Sequence, residues 1–213
     1  MMKKAILAVS ISIFIFFSSC TTDIKVACVG DSITEGHGLT SQSHSAYPAI
    51  LGSLLGPGYA VLNAGQGGAT LLKDGDYPYW NCNEFSNVFD FQPDIIIIKL
   101  GTNDTKSHNW DAEKFSRDYQ ALVDTFNTIK SHPRIYLCIP VPVFKTAWGI
   151  NDSTLTCGVV PVINEIGKTN QLTIIDLYSK MKDYPEFFPD GVHPNEGGTK
   201  KMAEIIAKEI MQQ

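Results

Sequence analysis

The sequence predicts an α/β fold, in which a parallel β-sheet lies between two layers of helices. Short runs of β-branched and other apolar residues alternate with longer amphipathic segments from residue 24 onward, and right-handed crossovers turn this alternation into a parallel sheet. Most positions in the short runs are apolar without strict alternation, which is typical of strands covered on both faces. The chain has 213 residues, of which 44% are hydrophobic and 18% charged, and this composition fits one domain.

Five apolar runs are predicted to be the strands of this sheet. They are residues 24–30, 59–65, 94–101, 134–140 and 172–178. The sequence between them contains no internal repeat, no low-complexity segment and no second-domain linker, so residues 24–213 are predicted to form a single domain. In an open parallel sheet, sites form beyond the carboxyl ends of the strands. The loops that follow these five runs are therefore the ones that can meet in a site.

Four helical segments are predicted between and after the strands, at residues 44–55, 111–131, 156–170 and 195–212. The second has the clearest pattern, because its apolar residues recur at intervals of three and four and form one buried stripe. Asp111 suits the N-cap of this helix, and His132-Pro133 is expected to end it. The stripe consists of Phe115, Tyr119, Leu122, Val123, Phe126 and Ile129.

The first nineteen residues have the pattern of a secretory signal. Two lysines precede an apolar run that ends at small residues just before Cys20, and the run is shorter than the ~20 residues a membrane-spanning helix needs. The sequence FSSC resembles a bacterial lipoprotein cleavage site, in which the cysteine becomes the lipidated first residue. Residues 1–19 are then a signal peptide and 20–23 a tether. The protein would be exported to the bacterial periplasm or cell surface, held to a membrane only through lipidated Cys20.

The net charge of the chain limits the kinds of partner that it could bind. Removal of residues 1–19 takes away two lysines and no acid, so the net charge changes from −5 to −7. Such an acidic chain without a basic run argues against nucleic acid as a partner.

Cys28 and Cys138 lie in apolar runs and are expected in the core. Cys82 and Cys157 lie in polar or glycine-containing stretches, so a disulfide between them is plausible in an exported protein. No spacing suggests a zinc site.

Three predicted site loops carry residues suited to chemistry. GDSITEG (30–36) places Ser32 at the end of the first strand, NAGQGGAT (63–70) is rich in glycine, and GTNDT (101–105) follows a buried run. Each has an ordinary alternative, since serine can cap a helix and glycine or Asn-Asp can form a turn. Glycines also let backbone N–H groups approach a ligand, and an asparagine amide can donate to an oxyanion. Because all three loops lie at one edge of the sheet, a catalytic site is favoured.

A serine nucleophile requires a base within hydrogen-bonding distance and an acceptor that orients the base. Of the five histidines, His193 fits best, because Asp190 lies three residues earlier and both follow the last strand. The prolines at 189 and 194 restrict the backbone on either side of this pair. His132 precedes a strand and is therefore expected at the opposite edge of the sheet.

The blocks GDSIT, NAGQGGAT, GTND and DGVHP resemble, in this order, the four signature blocks of the SGNH/GDSL hydrolase superfamily. The resemblance spans residues 30–194 and implies a flavodoxin-like three-layer α/β/α sandwich with a five-stranded parallel sheet. It also implies ester hydrolysis through an acyl-serine, without metal or organic cofactor. Ser32 matches the nucleophile, His193 the acid and base, and Asp190 its orienting carboxylate. The oxyanion donors match the Ser32 N–H, the Gly68 N–H and the Asn103 amide.

Aromatic residues in the site loops favour a carbohydrate substrate. Aromatic rings beside Asn and Asp suit sugars, and no long apolar insertion suggests a channel for a fatty acyl chain. We therefore expect a carbohydrate O-acetylesterase acting on a small-molecule or polysaccharide ester. A lysophospholipase or thioesterase and a non-catalytic carbohydrate-binding lipoprotein are the alternatives. The intact Ser32, Asn103 and His193 set counts against the last of these. The candidate substrate-binding residues are Asp31, Tyr79, Trp80, Trp110 and Trp148.

Lys99 ends an otherwise apolar strand, and we expect it to pair with an acidic residue of a nearby loop.

Overall fold

The computed structural model describes residues 23–212. The predicted signal segment, Cys20 and all of the predicted tether except Asp23 lie outside the described residues. Within the described part of the chain, no helix combines the length and apolar character that crossing a bilayer requires.

The five predicted strands all form and build one parallel sheet. The order across the sheet is β2-β1-β3-β4-β5. The strands β1 and β3 therefore lie side by side near its centre, and Gly30 at the end of β1 pairs with Lys99 at the end of β3. The strand bounds are β1 Ile24–Gly30, β2 Tyr59–Gly65, β3 Ile95–Lys99, β4 Arg134–Ile139 and β5 Thr173–Asp176.

Helices cover both faces of this sheet, which confirms the predicted three-layer α/β/α sandwich. The described α-helices are α1 Ser32–Glu35, α2 Gln42–Ser45, α3 Tyr47–Leu55, α4 Asn83–Phe91, α5 Ala112–Asn127, α6 Asp152–Thr154, α7 Val160–Asn170, α8 Leu177–Met181 and α9 Glu196–Met211. A π-helical turn, Leu155–Val159, joins α6 to α7.

Successive residues of β1 point to opposite faces and so belong to two separate apolar cores. Ala27 and Val29 pack with the buried faces of α4, α5 and α7, whereas Val26 and Cys28 pack with those of α3, α8 and α9. The stripe predicted for α5 is buried as expected, and Asp111 caps this helix by accepting a hydrogen bond from the Lys114 N–H. The helix α4 was not predicted. Its apolar residues pack over β1 and β2.

The disulfide considered between Cys82 and Cys157 is not formed, because both are free thiols. Cys82 is buried at the N-terminal cap of α4, which covers β1 and β2. Cys157 is exposed in the π-helical turn, which packs against α5 and α7 on the far side of the same layer. The two thiols thus belong to different segments of this helical layer, and neither has a cysteine partner. Cys28 and Cys138 are buried in the core, as predicted.

Candidate active site

Ser32 lies where β1 ends and is the first residue of α1. Asp31 caps this short helix, since its carboxylate accepts a hydrogen bond from the Ile33 N–H. The Ser32 hydroxyl is 2.8 Å from Nε2 of His193. The helix therefore fixes the backbone of the serine, while its hydroxyl is left free to reach the histidine.

His193 and Asp190 form a rigid turn between Pro189 and Pro194. One oxygen of Asp190 accepts the backbone N–H groups of Val192 and His193, at 2.8 and 2.7 Å. Its other oxygen is 2.8 Å from Nδ1 of His193. Partial burial raises the pKa of Asp190, but these hydrogen bonds outweigh burial and hold the pKa below its ordinary value. The ionised carboxylate accepts the Nδ1 proton, so Nε2 is left as an acceptor for the Ser32 hydroxyl.

Gly68 follows β2 and lies in the left-handed region, with φ of 79°. A Cβ atom would meet nothing within 4 Å at this position, so the backbone conformation rather than crowding requires glycine here. Among the described residues, no acceptor pairs with the backbone N–H of Gly68 or of Ser32. Both groups border the same cavity, where they are available to an oxygen of a bound ester.

Asn103 begins a short 3₁₀ turn after β3 and is only 4% exposed. Its side-chain amide donates one hydrogen bond to the Ala69 carbonyl, at 3.0 Å. An amide nitrogen carries two protons, so the second is available at the cavity that Asn103 also borders. This contact ties the asparagine to the glycine-rich loop and fixes the positions of the two donors relative to each other.

Asp104 holds the other end of the glycine-rich loop. Its carboxylate oxygens accept the backbone N–H groups of Leu71 and Leu72, at 3.0 and 2.8 Å. Burial raises the pKa of Asp104 to about 7, although the two N–H donors favour its ionised form. In the GTND block, Asn103 thus borders the cavity and Asp104 supports the glycine-rich loop.

Asp31, the residue before Ser32, forms a buried ion pair with Lys99. Nζ of Lys99 lies 2.9 and 3.0 Å from the two oxygens of Asp31 and 3.0 Å from the Thr102 hydroxyl. Both charged side chains are 0% exposed. Burial lowers the pKa of Lys99, and the charge of Asp31 opposes this effect. The expected acidic partner of Lys99 is confirmed, whereas the predicted substrate-binding role of Asp31 is wrong, because a buried carboxylate cannot contact a substrate.

Three of the four aromatic residues predicted to bind substrate belong to the core or its margin. Tyr79 is completely buried, and its hydroxyl donates to the Ala64 carbonyl. The indole N–H of Trp80 donates to the Leu71 carbonyl, and its ring packs against the core. Trp110 packs on Phe115 with ring centroids 5.3 Å apart. None of these three residues borders the cavity of Ser32. Because Tyr79 is fully buried, its predicted substrate-binding role is wrong. Trp80 and Trp110 are only partly buried, and their substrate-binding role stays a prediction.

Trp148 alone among those four aromatic residues borders the cavity. It is 61% exposed, and its ring centroid lies 5.4 Å from that of His193 in an edge-on arrangement. Its φ of 53° places it in the left-handed region, which costs a non-glycine residue about 1–2 kcal/mol.

The cavity has a volume of about 370 Å³ and is open to solvent. Four residues that the sequence analysis did not select also border it, and two of them, His37 and Lys106, have polar side chains. The His37 ring lies 4.7 Å from that of His193, and Lys106 pairs with Asp76 at 2.9 Å. Neither is part of a recognisable motif, so only the tertiary structure places them here. Within residues 23–212, no group of three His, Cys, Asp or Glu side chains could hold a metal ion.

Comparisons with known proteins agree with the fold and the motif order. An acetylxylan esterase from Xylanibacter ruminicola is 40% identical over 206 residues, which cover 88% of this chain and 43% of that protein. The chain thus spans less than half of that relative's length.

Two solved structures share the fold at lower identity. They are a carbohydrate acetylesterase from Sinorhizobium meliloti (TM-score 0.72, 18% identity) and a lipase/acylhydrolase from Enterococcus faecalis (TM-score 0.69, 23% identity). Each comparison covers 88% of this chain, and 98% and 95% of the respective structure. Residues 28–201 match the model of the GDSL-like lipase/acylhydrolase family. This match includes every residue of the cavity described above, and the chain belongs to that family.

Proposed function

We propose that the protein is a serine esterase that removes acetyl groups from a carbohydrate. The observation that carries this proposal is the continuous hydrogen-bonded series from the Ser32 hydroxyl through His193 to Asp190, with both contacts at 2.8 Å. This series opens onto a cavity that also holds the Gly68 and Asn103 donors. A nucleophile, a base, an orienting carboxylate and oxyanion donors are the parts that acyl transfer requires.

In the proposed reaction, Ser32 attacks the ester carbonyl while its proton passes to Nε2 of His193. The carbonyl oxygen becomes an oxyanion, which accepts hydrogen bonds from the Ser32 N–H, the Gly68 N–H and the Asn103 amide. Collapse of this intermediate breaks the bond to the leaving alcohol, and His193 returns its proton to that oxygen. Water then attacks the acyl-serine with His193 again as base, releasing the acid and restoring Ser32.

The relative with 40% identity is named an acetylxylan esterase, and this name supports an acetyl group on a sugar. The cavity supports the same choice, because an exposed indole and polar side chains border it. The fold does not decide the acyl length, since a carbohydrate acetylesterase and a lipase/acylhydrolase both share it.

A panel of esters tests the acyl preference. We expect kcat/KM to be highest for the C2 member of a C2 to C12 series of p-nitrophenyl esters, and an acetylated xylo-oligosaccharide to be deacetylated. Each buried CH₂ would contribute about 0.8 kcal/mol if a fatty chain were bound, so a lipid-directed enzyme would show kcat/KM rising with chain length. That rise would contradict the carbohydrate assignment and favour a lysophospholipase or thioesterase.

We also propose, from the pattern of residues 1–20 alone, that the protein is exported and anchored through a lipid on Cys20. The expected result is a mature chain that begins at an acylated Cys20, observable by mass spectrometry of protein purified from bacterial membranes. A chain that retains Lys3 and Lys4, or that begins after Cys20, would contradict this proposal.

A further inference from the structure

Trp148 occupies a backbone position that suits other residues better. Residues 147–150 form a tight turn, closed by a hydrogen bond of 2.8 Å from the Ile150 N–H to the Ala147 carbonyl. Both central residues have positive φ, 53° at Trp148 and 83° at Gly149, which makes this a type I′ turn. The first central position of such turns strongly favours Asn, Asp or Gly. Local conformation therefore does not account for a tryptophan at this position.

Packing does not account for it either, because 61% of Trp148 is exposed. A large apolar side chain that is both conformationally unfavourable and open to solvent gains little for the folded state. Such outliers concentrate at ligand-binding sites, where an interaction with the ligand retains them. The ring of Trp148 has the matching location, since it borders the cavity of Ser32 and lies 5.4 Å from His193.

Hydrogen bonds hold the turn of Trp148 against the 3₁₀ turn that begins at Asn103. The next residue, Asn151, donates its backbone N–H to the Thr105 hydroxyl at 3.2 Å and its side-chain amide to the Thr105 carbonyl at 2.8 Å. Thr105 is two residues from Asn103 on the same 3₁₀ turn. The backbone of the turn that carries Trp148 is thus held close to the groups that would bind the ester carbonyl.

We propose that Trp148 is the platform on which the sugar ring bearing the acyl group stacks, an inference that rests on the proposed function. A pyranose presents C–H groups on its faces and hydroxyls at its rim, so one face packs on indole while the rim forms hydrogen bonds. His37 and Lys106 border the same cavity and provide such polar groups. The leaving oxygen of a stacked sugar lies beside His193, the group that must protonate it.

The charges at this cavity favour a neutral sugar. Lys106 is the cationic side chain on the cavity wall, but its Nζ is paired with Asp76 at 2.9 Å and its side chain is 13% exposed. Because that charge is already matched, Lys106 acts as a hydrogen-bond donor and adds little attraction for a uronate. The platform is therefore assigned to an uncharged ring such as a xylose unit.

The variant Trp148→Asn tests the effect of the indole on substrate binding separately from its effect on stability. Asparagine suits a type I′ turn, so the melting temperature should rise by about 2–4 °C. The value of kcat/KM for an acetylated xylo-oligosaccharide should fall about tenfold or more, with the loss mainly in KM. Methyl acetate has no ring to stack, so the loss of kcat/KM for this ester should be much smaller than the loss for the sugar ester.

Tyr77→Ala is the matched control, because Tyr77 is an aromatic residue that is 47% exposed but does not border the cavity. It should leave both substrates unaffected. An unchanged kcat/KM for the sugar ester in Trp148→Asn would overturn the platform while leaving the proposed function intact, and equal losses on both esters would show that Trp148 acts through His193 instead. Failure of the wild-type protein to deacetylate the sugar would refute the proposed function itself.

Discussion

Replacing Ser32 with alanine should lower kcat for a short acyl ester by about 10⁴- to 10⁶-fold, the range expected when a triad nucleophile is removed. The hydroxyl is the group that would form the acyl-enzyme, and no other hydroxyl in the described chain is hydrogen-bonded to His193. Little stability should be lost, because the change removes one oxygen from a partly exposed side chain. His193→Ala should cost a similar factor, since the two residues act as one unit.

Steady-state kinetics on p-nitrophenyl acetate, together with a burst experiment, measure this effect. The double variant Ser32→Ala/His193→Ala should be no slower than either single variant. Ser53→Ala serves as the matched control, because Ser53 is an exposed serine on α3 that does not border the cavity. A Ser32→Ala enzyme that keeps a tenth of the wild-type kcat would refute the acyl-serine mechanism.

Lys99→Met should lower the free energy of unfolding by about 3–5 kcal/mol, because it leaves the buried Asp31 carboxylate without its charged partner. Asp31 also caps α1, and Lys99 bonds the Thr102 hydroxyl next to Asn103. The ion pair therefore connects the turn of Ser32 to the segment that contains Asn103. We expect the double variant Asp31→Asn/Lys99→Met to regain most of the stability, since it buries no charge and retains an oxygen for the Ile33 N–H.

Urea unfolding of the wild-type protein and of these two variants measures the differences in the free energy of unfolding. Lys114→Met is the control, because Lys114 forms an exposed ion pair with Asp74, and exposed pairs contribute little to stability. The buried pair would be shown to be unimportant if Lys99→Met were no less stable than Lys114→Met.

The strands could be predicted from the sequence, and the shorter helices could not. A run such as IIIIK in β3 is buried at every position, and only a central parallel strand accommodates so continuous an apolar run. In contrast, α4 follows a 3₁₀ turn and its N-cap is Cys82, which makes no side-chain capping hydrogen bond, so no capping residue marks its start in the sequence. The helix α1 could not be predicted either, because its sequence is equally compatible with a turn.

The site residues that belong to the sequence motifs were predicted, and the structure brings them together. Most of the aromatic residues that were selected for the polar character of their loops do not border that site. Ser32, Gly68, Asn103 and His193 border one cavity, because the carboxyl ends of parallel strands place their loops at one edge. The orientation of an aromatic side chain depends on its tertiary neighbours. Trp80 and Trp110 accordingly pack inward while Trp148 is exposed, and the sequence around each is similarly polar. His37 and Lys106 were missed because their location at the cavity likewise depends on the tertiary structure.

The hydrogen bond between Ser32 and His193 joins residues that are 161 positions apart. The early helix α3 likewise packs on α9, the last helix of the chain. Contacts of such high sequence separation form late, since a long loop must be closed before they can contribute. A growing polypeptide can pair its first four strands and still lack His193, the proposed base for Ser32. Catalytic competence therefore arises only when the last segment docks, so the recovery of activity during refolding reports the completion of the native structure.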